Sequence, residues 1–167
     1  MTIPVLQVIG FKESGKTTLL KRWTALARAN GWRVGVLKHH GHQHEPLQPE
    51  GVDSMELKEA GAMVSGVEGA GVFQFLADLE APELSTLLNI YQQLPLDVIL
   101  IEGYKKAPHP KVFLLRSTND KATLEDLDNI QTAFGPGEEV NHFQDTEKAD
   151  AWFEQYMRSI LWKNDFS

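Results

Sequence analysis

Apolar residues along the chain fall into short runs, separated by polar and glycine-marked breaks, and the runs alternate between two periods. Ile3 to Ile9 is rich in Val, Leu and Ile and stops at Gly10, which predicts a buried strand. Lys16 to Asn30 sets Leu19, Leu20, Trp23, Leu26 and Ala27 near helical spacing, with Asn30-Gly31 as a C-terminal stop. Trp32 to Lys38 predicts a second strand, completing a βαβ unit and implying a parallel sheet. His39 to Val52, with two Pro and two Gly, predicts an exposed loop. Asp53-Ser54 can cap a helix to about Ala60, ended by Gly61. Ala62 to Val67 and Val72 to Leu76 read as a hairpin-like strand pair around Gly69-Ala70-Gly71. Pro82 to Gln93 predicts a helix with Pro in its first turn. Asp97 to Ile101 predicts a strongly buried strand ending at Glu102-Gly103, and Val112 to Leu115 another. Ser117 to Asp128 is loop or short helix, and Asn129 to Phe134 and His142-Phe143 are short strand candidates. Glu147 to Trp162 is an amphipathic helix carrying Trp152, Phe153, Tyr156, Ile160 and Leu161. The alternation predicts one three-layer α/β domain over residues 1–167.

Composition narrows the function classes. The 167 residues are 42% hydrophobic and 23% charged, as in ordinary globular proteins. No apolar run approaches the roughly 20 residues of a membrane span, so no membrane partner is expected. Met1 to Val5 has neither a basic stretch nor a cleavage site, so no export signal is expected. The chain has no Cys, which excludes disulfides, thiolate metal sites and a cysteine nucleophile, and fits a cytoplasmic location. A formal net charge of −7 argues against general nucleic-acid binding. It leaves room for a local basic pocket, which would stand out against an acidic surface.

One segment carries a defined chemistry. Gly10-Phe11-Lys12-Glu13-Ser14-Gly15-Lys16-Thr17 matches G-x-x-x-x-G-K-[ST], a Walker A motif, and Thr18 follows it. Glycines let successive N–H groups turn inward around an anion. The helix that starts at Lys16 adds unpaired N–H groups and its dipole. Lys16 is placed to hold the β- and γ-phosphates of a nucleoside triphosphate, and the Thr17 hydroxyl to ligate magnesium. The motif follows a buried strand and opens a helix, which selects the P-loop NTPase fold: a mostly parallel, doubly wound sheet with a small β-hairpin insertion. Such a site needs a carboxylate near the metal. Glu102, at the end of the most hydrophobic strand, is the first candidate, also assigned a catalytic part with Lys16. Asp53 is the second, although it serves equally as a helix N-cap.

The loop Lys38-His39-His40-Gly41-His42-Gln43-His44 leaves the same sheet edge as the P-loop. With no Cys to complete a zinc site, its assigned chemistry is contact with phosphates or a second anionic ligand, by Lys38, His39 and His42. Lys105, Lys106, Lys111 and Arg116 concentrate positive charge after Glu102, and some are expected on that edge, Lys105 in particular. No N-K-x-D follows a strand, so the residues leave guanine and adenine open; Asn119-Asp120 is better read as a turn than as a base contact. The five arginines are scattered, and neither an arginine finger nor a water-orienting Gln stands out.

Four blocks together resemble the molybdopterin-guanine dinucleotide biosynthesis adaptor protein B family. They are Gly10 to Thr18, Lys38-His39-His40-Gly41-His42, Gly51-Val52-Asp53-Ser54 through Glu59-Ala60-Gly61-Ala62, and Ile101-Glu102-Gly103-Tyr104-Lys105 with Pro110-Lys111. The resemblance spans residues 3 to about 116. It implies a homodimer that binds GTP and Mg²⁺, hydrolyses GTP weakly, and assists the guanylyltransferase that joins GMP to molybdopterin. It carries the GTP contacts to Gly10, Gly15, Lys16, Thr17 and Thr18, with Asp53 and Glu102 near magnesium, and sets the histidine loop where molybdopterin or the partner is contacted. Two other classes share the fold: a small-molecule kinase, which predicts an arginine-rich lid, and a metallochaperone-type GTPase, which predicts tight metal binding by the histidine loop.

Overall fold

The computed structural model describes residues 2–39, 53–135 and 146–165. His40, His42 and His44 and the strand expected at His142-Phe143 lie outside them. The chain divides into two compact units, residues 1–39 with 87–167, and residues 40–86.

The first unit is built on β1 (Val5–Gly10), α1 (Lys16–Ala29), β2 (Val34–Lys38), β5 (Val98–Glu102), β6 (Lys111–Leu114), β7 (Ile130–Phe134) and α4 (Thr146–Asp165). Its five strands are all parallel, in the order β2-β5-β1-β6-β7. Side chains alternate between the two faces of a strand. Leu6, Val8, Val98, Leu100, Val112 and Leu114 therefore point to one face, where they join a buried cluster with Leu20 and Trp23 of α1 and Phe153 and Met157 of α4. Trp23 lies flat on Phe153, ring centroids 4.6 Å apart. Ile9, Ile99, Ile101 and Phe113 fill the other face, each fully buried. There α3 (Leu84–Tyr91), which begins at the border of the second unit, brings Tyr91 over β2. A Cβ on Gly35 would stand 2.6 Å from Leu96 and 2.8 Å from Tyr91, so only Gly lets that layer close.

Several elements start a residue or two later than the apolar pattern predicts, and for two of them the cause is visible. β2 begins at Val34 because the Trp32 N–H closes the end of α1, donating to the Ala27 carbonyl. α3 begins at Leu84, beyond Pro82, with Thr86 N–H donating back to Glu83. Thr118–Asp126 is a 3-10 helix, within the stretch expected as loop or short helix.

The second unit holds α2 (Asp53–Glu59) and a two-stranded antiparallel hairpin, β3 (Val64–Gly69) and β4 (Val72–Ala77). Ala70 and Gly71 turn it with φ 50° and 77°, the positive pair that a tight two-residue hairpin turn requires. Val64, Val67, Val72, Phe73 and Phe75 on the hairpin are exposed. Among the described residues no helix is long and apolar enough to cross a membrane.

Candidate nucleotide-binding site

The site lies at the C-terminal edge of the five-stranded sheet, within the first unit. β1 delivers the chain into the loop Gly10 to Gly15. Gly10 has φ 153°, and a Cβ there would stand 2.6 Å from Ser14 Oγ and 2.7 Å from the Leu114 carbonyl oxygen. Glu13 and Gly15 also have positive φ, 64° and 86°. The turn therefore winds left-handed where N–H groups must converge. α1 then starts with Gly15 as its N-cap, with no side-chain cap and no acidic residue in its first turn. Its first N–H groups, four in any α-helix, have no capping side chain, which leaves them to an anion. The Ser14 hydroxyl is buried without a hydrogen-bond partner, while the side chains of Lys12 and Glu13 are exposed. Thr18 is exposed in the first turn.

Lys16 folds back over the loop and donates to the Phe11 carbonyl at 2.5 Å. Burial lowers its pKa from the ordinary lysine value; Glu102 pulls it back up, while Lys105, Lys38 and Arg116 push it further down. Beside it, register sets Lys38 of β2 opposite Glu102 of β5. The Thr17 hydroxyl donates to Glu102 Oε2 at 2.7 Å. The Lys38 ammonium donates to Thr17 Oγ1 at 3.2 Å and stands 3.4 Å from Glu102 Oε1. A hydroxyl and a carboxylate of two separate elements thus converge on one cation. They are hard oxygen donors, the set that suits magnesium with waters and phosphates completing its shell. Among the described residues no group of three or more His, Asp or Glu forms an all-protein metal cage.

Gly103, with φ 100°, turns the chain away from Glu102; a Cβ there would meet His39 at 3.1 Å. His39 packs its ring on Tyr104, centroids 4.4 Å apart, at the rim of the site. The basic residues after Glu102 divide. Lys105 and Arg116 reach the P-loop, both against the ring of Phe11, at 4.6 and 4.3 Å. Lys106 is exposed. Lys111 does not belong to the edge: it is 1% exposed at the N-terminal start of β6, and its ammonium donates to the carbonyls of His109 and Asp128 at 3.0 Å each. Burial lowers its pKa, the nearby Asp128 working in the opposite sense. Asp120 forms the turn expected of Asn119-Asp120: its carboxylate accepts from the Arg116 backbone N–H at 2.7 Å and from its guanidinium at 3.2 and 3.3 Å. Asp53 is the first residue of α2 in the second unit, and His42 lies outside the described residues.

One residue escaped the sequence pattern. Gln7 is fully buried in β1, where its Nε2 donates to the carbonyls of Gly103 and Tyr104 at 2.9 and 2.8 Å. Its signal was a single amide side chain in an apolar strand. Arg116 was named in the basic run after Glu102, but its place at the P-loop depends on β6 lying beside β1.

Comparison with known proteins agrees with this architecture. Residues 5–134 match the family model described as molybdopterin guanine dinucleotide synthesis protein B, MobB. A protein of Bacillus subtilis (strain 168), named a probable molybdopterin-guanine dinucleotide biosynthesis adapter protein, is 43% identical over 142 residues, 84% of this chain and 82% of that one. A molybdopterin-guanine dinucleotide biosynthesis adapter protein of Haemophilus influenzae is 37% identical over 126 residues, 74% of this chain and 69% of that one. The crystal structure of a MobB homolog from Bacillus stearothermophilus superposes with a TM-score of 0.73 at 35% identity, covering 93% of this chain and 98% of the other.

Proposed function

The chain belongs to the molybdopterin guanine dinucleotide synthesis protein B family, and we propose that it is a GTP-binding adaptor, at most a slow GTPase. In this reading it assists the guanylyltransferase that attaches GMP to molybdopterin. The observation that carries the nucleotide part is the uncapped start of α1 inside a left-handed glycine loop, with Lys16 folded over it. Relatives named as adapter proteins of molybdopterin-guanine dinucleotide biosynthesis support the pathway part.

The residues divide the work. The backbone of Gly10 to Thr18 wraps the phosphates, and Lys16 leaves the Phe11 carbonyl for the β- and γ-phosphate oxygens. The buried Ser14 hydroxyl gains a partner. Thr17 and Glu102 are the residues that would hold Mg²⁺, and Asp53 is a further candidate from the sequence. When bound, that ion neutralises charge on the β- and γ-phosphates. Lys38 then turns from Glu102 toward phosphate or a second anionic ligand, with His39, His42 and Lys105 supplying the rest of that contact. The exposed apolar side chains of the β3–β4 hairpin support a homodimer.

Calorimetric titration of GTP against ATP tests the reading, with and without Mg²⁺, on the wild type and Lys16→Ala. GTP binding that needs Mg²⁺ and is lost in the variant supports it. Equal binding of ATP, or undiminished binding by Lys16→Ala, defeats it. Repeating the titration with molybdopterin and the guanylyltransferase present tests the adaptor role.

A further inference from the structure

Three cations converge on one residue of the P-loop. Lys16 donates to the carbonyl of Phe11, while Lys105 and Arg116 stand against its ring. The ring is itself fixed edge-on against Phe113, centroids 6.1 Å apart at 78°. Arg116 reaches it because Gly10 pairs with Leu114, so the chain leaving β6 emerges beside the start of the loop.

Arg116 is also oriented from behind. Asp120 is 6% exposed, and it holds the Arg116 backbone N–H, Nε and Nη2 together. The same contact holds the Asp120 carboxyl below its ordinary pKa. The 3-10 helix Thr118–Asp126 carries Asp120 back to this position. A guanidinium kept only for packing on an aromatic ring needs no such fork. The Arg116 side chain nevertheless remains 47% exposed, so its free face is available to a ligand on the loop. Lys105, Lys38 and Arg116 all disfavour the charged form of Lys16, and Glu102 is the carboxylate that favours it, a gathering of positive charge that suits a polyanion.

We propose that Arg116 is an arginine supplied in cis to the bound triphosphate, and that Asp120 is its positioning residue. This rests on the nucleotide reading above. In hydrolysis the water oxygen bonds to the γ-phosphorus as the bond to the β–γ bridging oxygen breaks. The electron pair goes to that bridging oxygen, GDP leaves with it, and the water protons leave with the released phosphate and solvent. The Arg116 guanidinium swings from the Phe11 ring to the β–γ oxygens, where this charge develops, while Asp120 holds its Nε side. An arginine acting there is worth about 10³–10⁵-fold in rate.

The test compares Arg116→Ala, Arg116→Lys and Asp120→Asn with the wild type. Three quantities are read: affinity for a non-hydrolysable GTP analogue, affinity for GDP with Mg²⁺ and aluminium fluoride, and single-turnover GTP hydrolysis. Melting curves establish that each variant is folded. Arg116→Ala should keep its GTP-analogue affinity within about threefold, yet lose hydrolysis and aluminium-fluoride affinity by about 10³-fold. Arg116→Lys should remain folded and lose most of the same, because an ammonium cannot hold both Asp120 and phosphate. Asp120→Asn should lower kcat with little change in KM. Hydrolysis and aluminium-fluoride affinity unchanged in Arg116→Ala would overturn the proposal and leave the nucleotide reading standing. So would a wild type that binds GTP but neither hydrolyses it nor takes up GDP with aluminium fluoride. A wild type that binds no GTP overturns both.

Discussion

Gln7 offers a direct test of how the sheet and the site are joined. β5 and β6 lie on opposite sides of β1, so residues 103–110 must cross the face of β1 without a helix to satisfy their backbone. Gln7 donates to two of their carbonyls, Gly103 and Tyr104. The Tyr104 oxygen also accepts from Ala107 N–H at 2.8 Å, so the Gly103 oxygen depends more on Gln7. In Gln7→Leu the two bonds are lost, at about 0.5–1.5 kcal/mol each, a gross loss of about 1–3 kcal/mol that apolar burial partly offsets. Gln7→Glu has the same shape but points oxygens at oxygens. An ionised carboxylate cannot remain there, so it must bind a proton. Keeping it protonated at pH 7 costs about 3.7 kcal/mol, roughly 1.36 for each of the 2.7 units above the ordinary glutamate value. Its folded pKa is raised, so the variant is nearest to wild type below about pH 4.3 and loses ground as pH rises. Urea unfolding at pH 4.5, 5.5 and 7 should show a deficit against wild type that widens by up to about 1.36 kcal/mol per pH unit. At pH 7 the order should be wild type, then Leu, then Glu. A Glu deficit that is flat with pH, or a Glu variant as stable as Leu at pH 7, would refute this account of the crossover.

Gly10→Ala should abolish GTP binding in calorimetry and cost about 1–3 kcal/mol in urea unfolding, because its Cβ would meet Ser14 and the Leu114 carbonyl. Lys16→Met should leave the nucleotide-free protein as stable as wild type or more so, by under about 1 kcal/mol given the solvent around the group. Its sign has a pH signature: the Lys16 pKa is lowered, so the burial penalty applies below that value and fades as pH climbs toward 10.5, closing the gap in melting temperature. Trp23→Ala should cost about 3–5 kcal/mol by loss of the stack on Phe153, whereas Trp23→Phe should cost far less, since the buried indole N–H has no partner. Thermal melts separate the two at about 2–4 °C per kcal/mol.

Where each interaction sits along the chain explains what the sequence disclosed. The P-loop is contiguous, so Gly10, Gly15, Lys16 and Thr17 were legible as a motif, and the backbone angles follow from the glycines. Strands β1, β5 and β6 were legible because both faces are covered and nearly every position is apolar. Glu102 was legible because a carboxylate ends the most apolar strand. Strand order was not. It decides that Lys105 and Arg116 arrive at Phe11 while Lys111, in the same basic run, is buried under two carbonyls. Lysines look alike in sequence whether they are solvated or are capping a crossover. The difference lies in pairings such as Gln7 with Lys111, which join residues far apart in the chain.

The same features that mark the site weaken the protein without a ligand. The start of α1 has no side-chain cap, and a Ser, Thr, Asp or Asn there contributes about 0.5–2 kcal/mol in other helices. Glu13 sits at positive φ, and the Ser14 hydroxyl is buried unpaired. Four cations face one carboxylate. Each departs from what a stable fold selects locally, and all four converge within one loop and its neighbours. A bound polyphosphate would meet three of these demands at once: acceptors for the amides and the hydroxyl, and negative charge for the cations. In the proposed function binding is therefore linked to folding. A ligand at a hundred times its dissociation constant should stabilise the chain by about 2.7 kcal/mol. The rise should be absent in Gly10→Ala, whose core is otherwise intact, because the loss there is confined to the loop that the ligand completes.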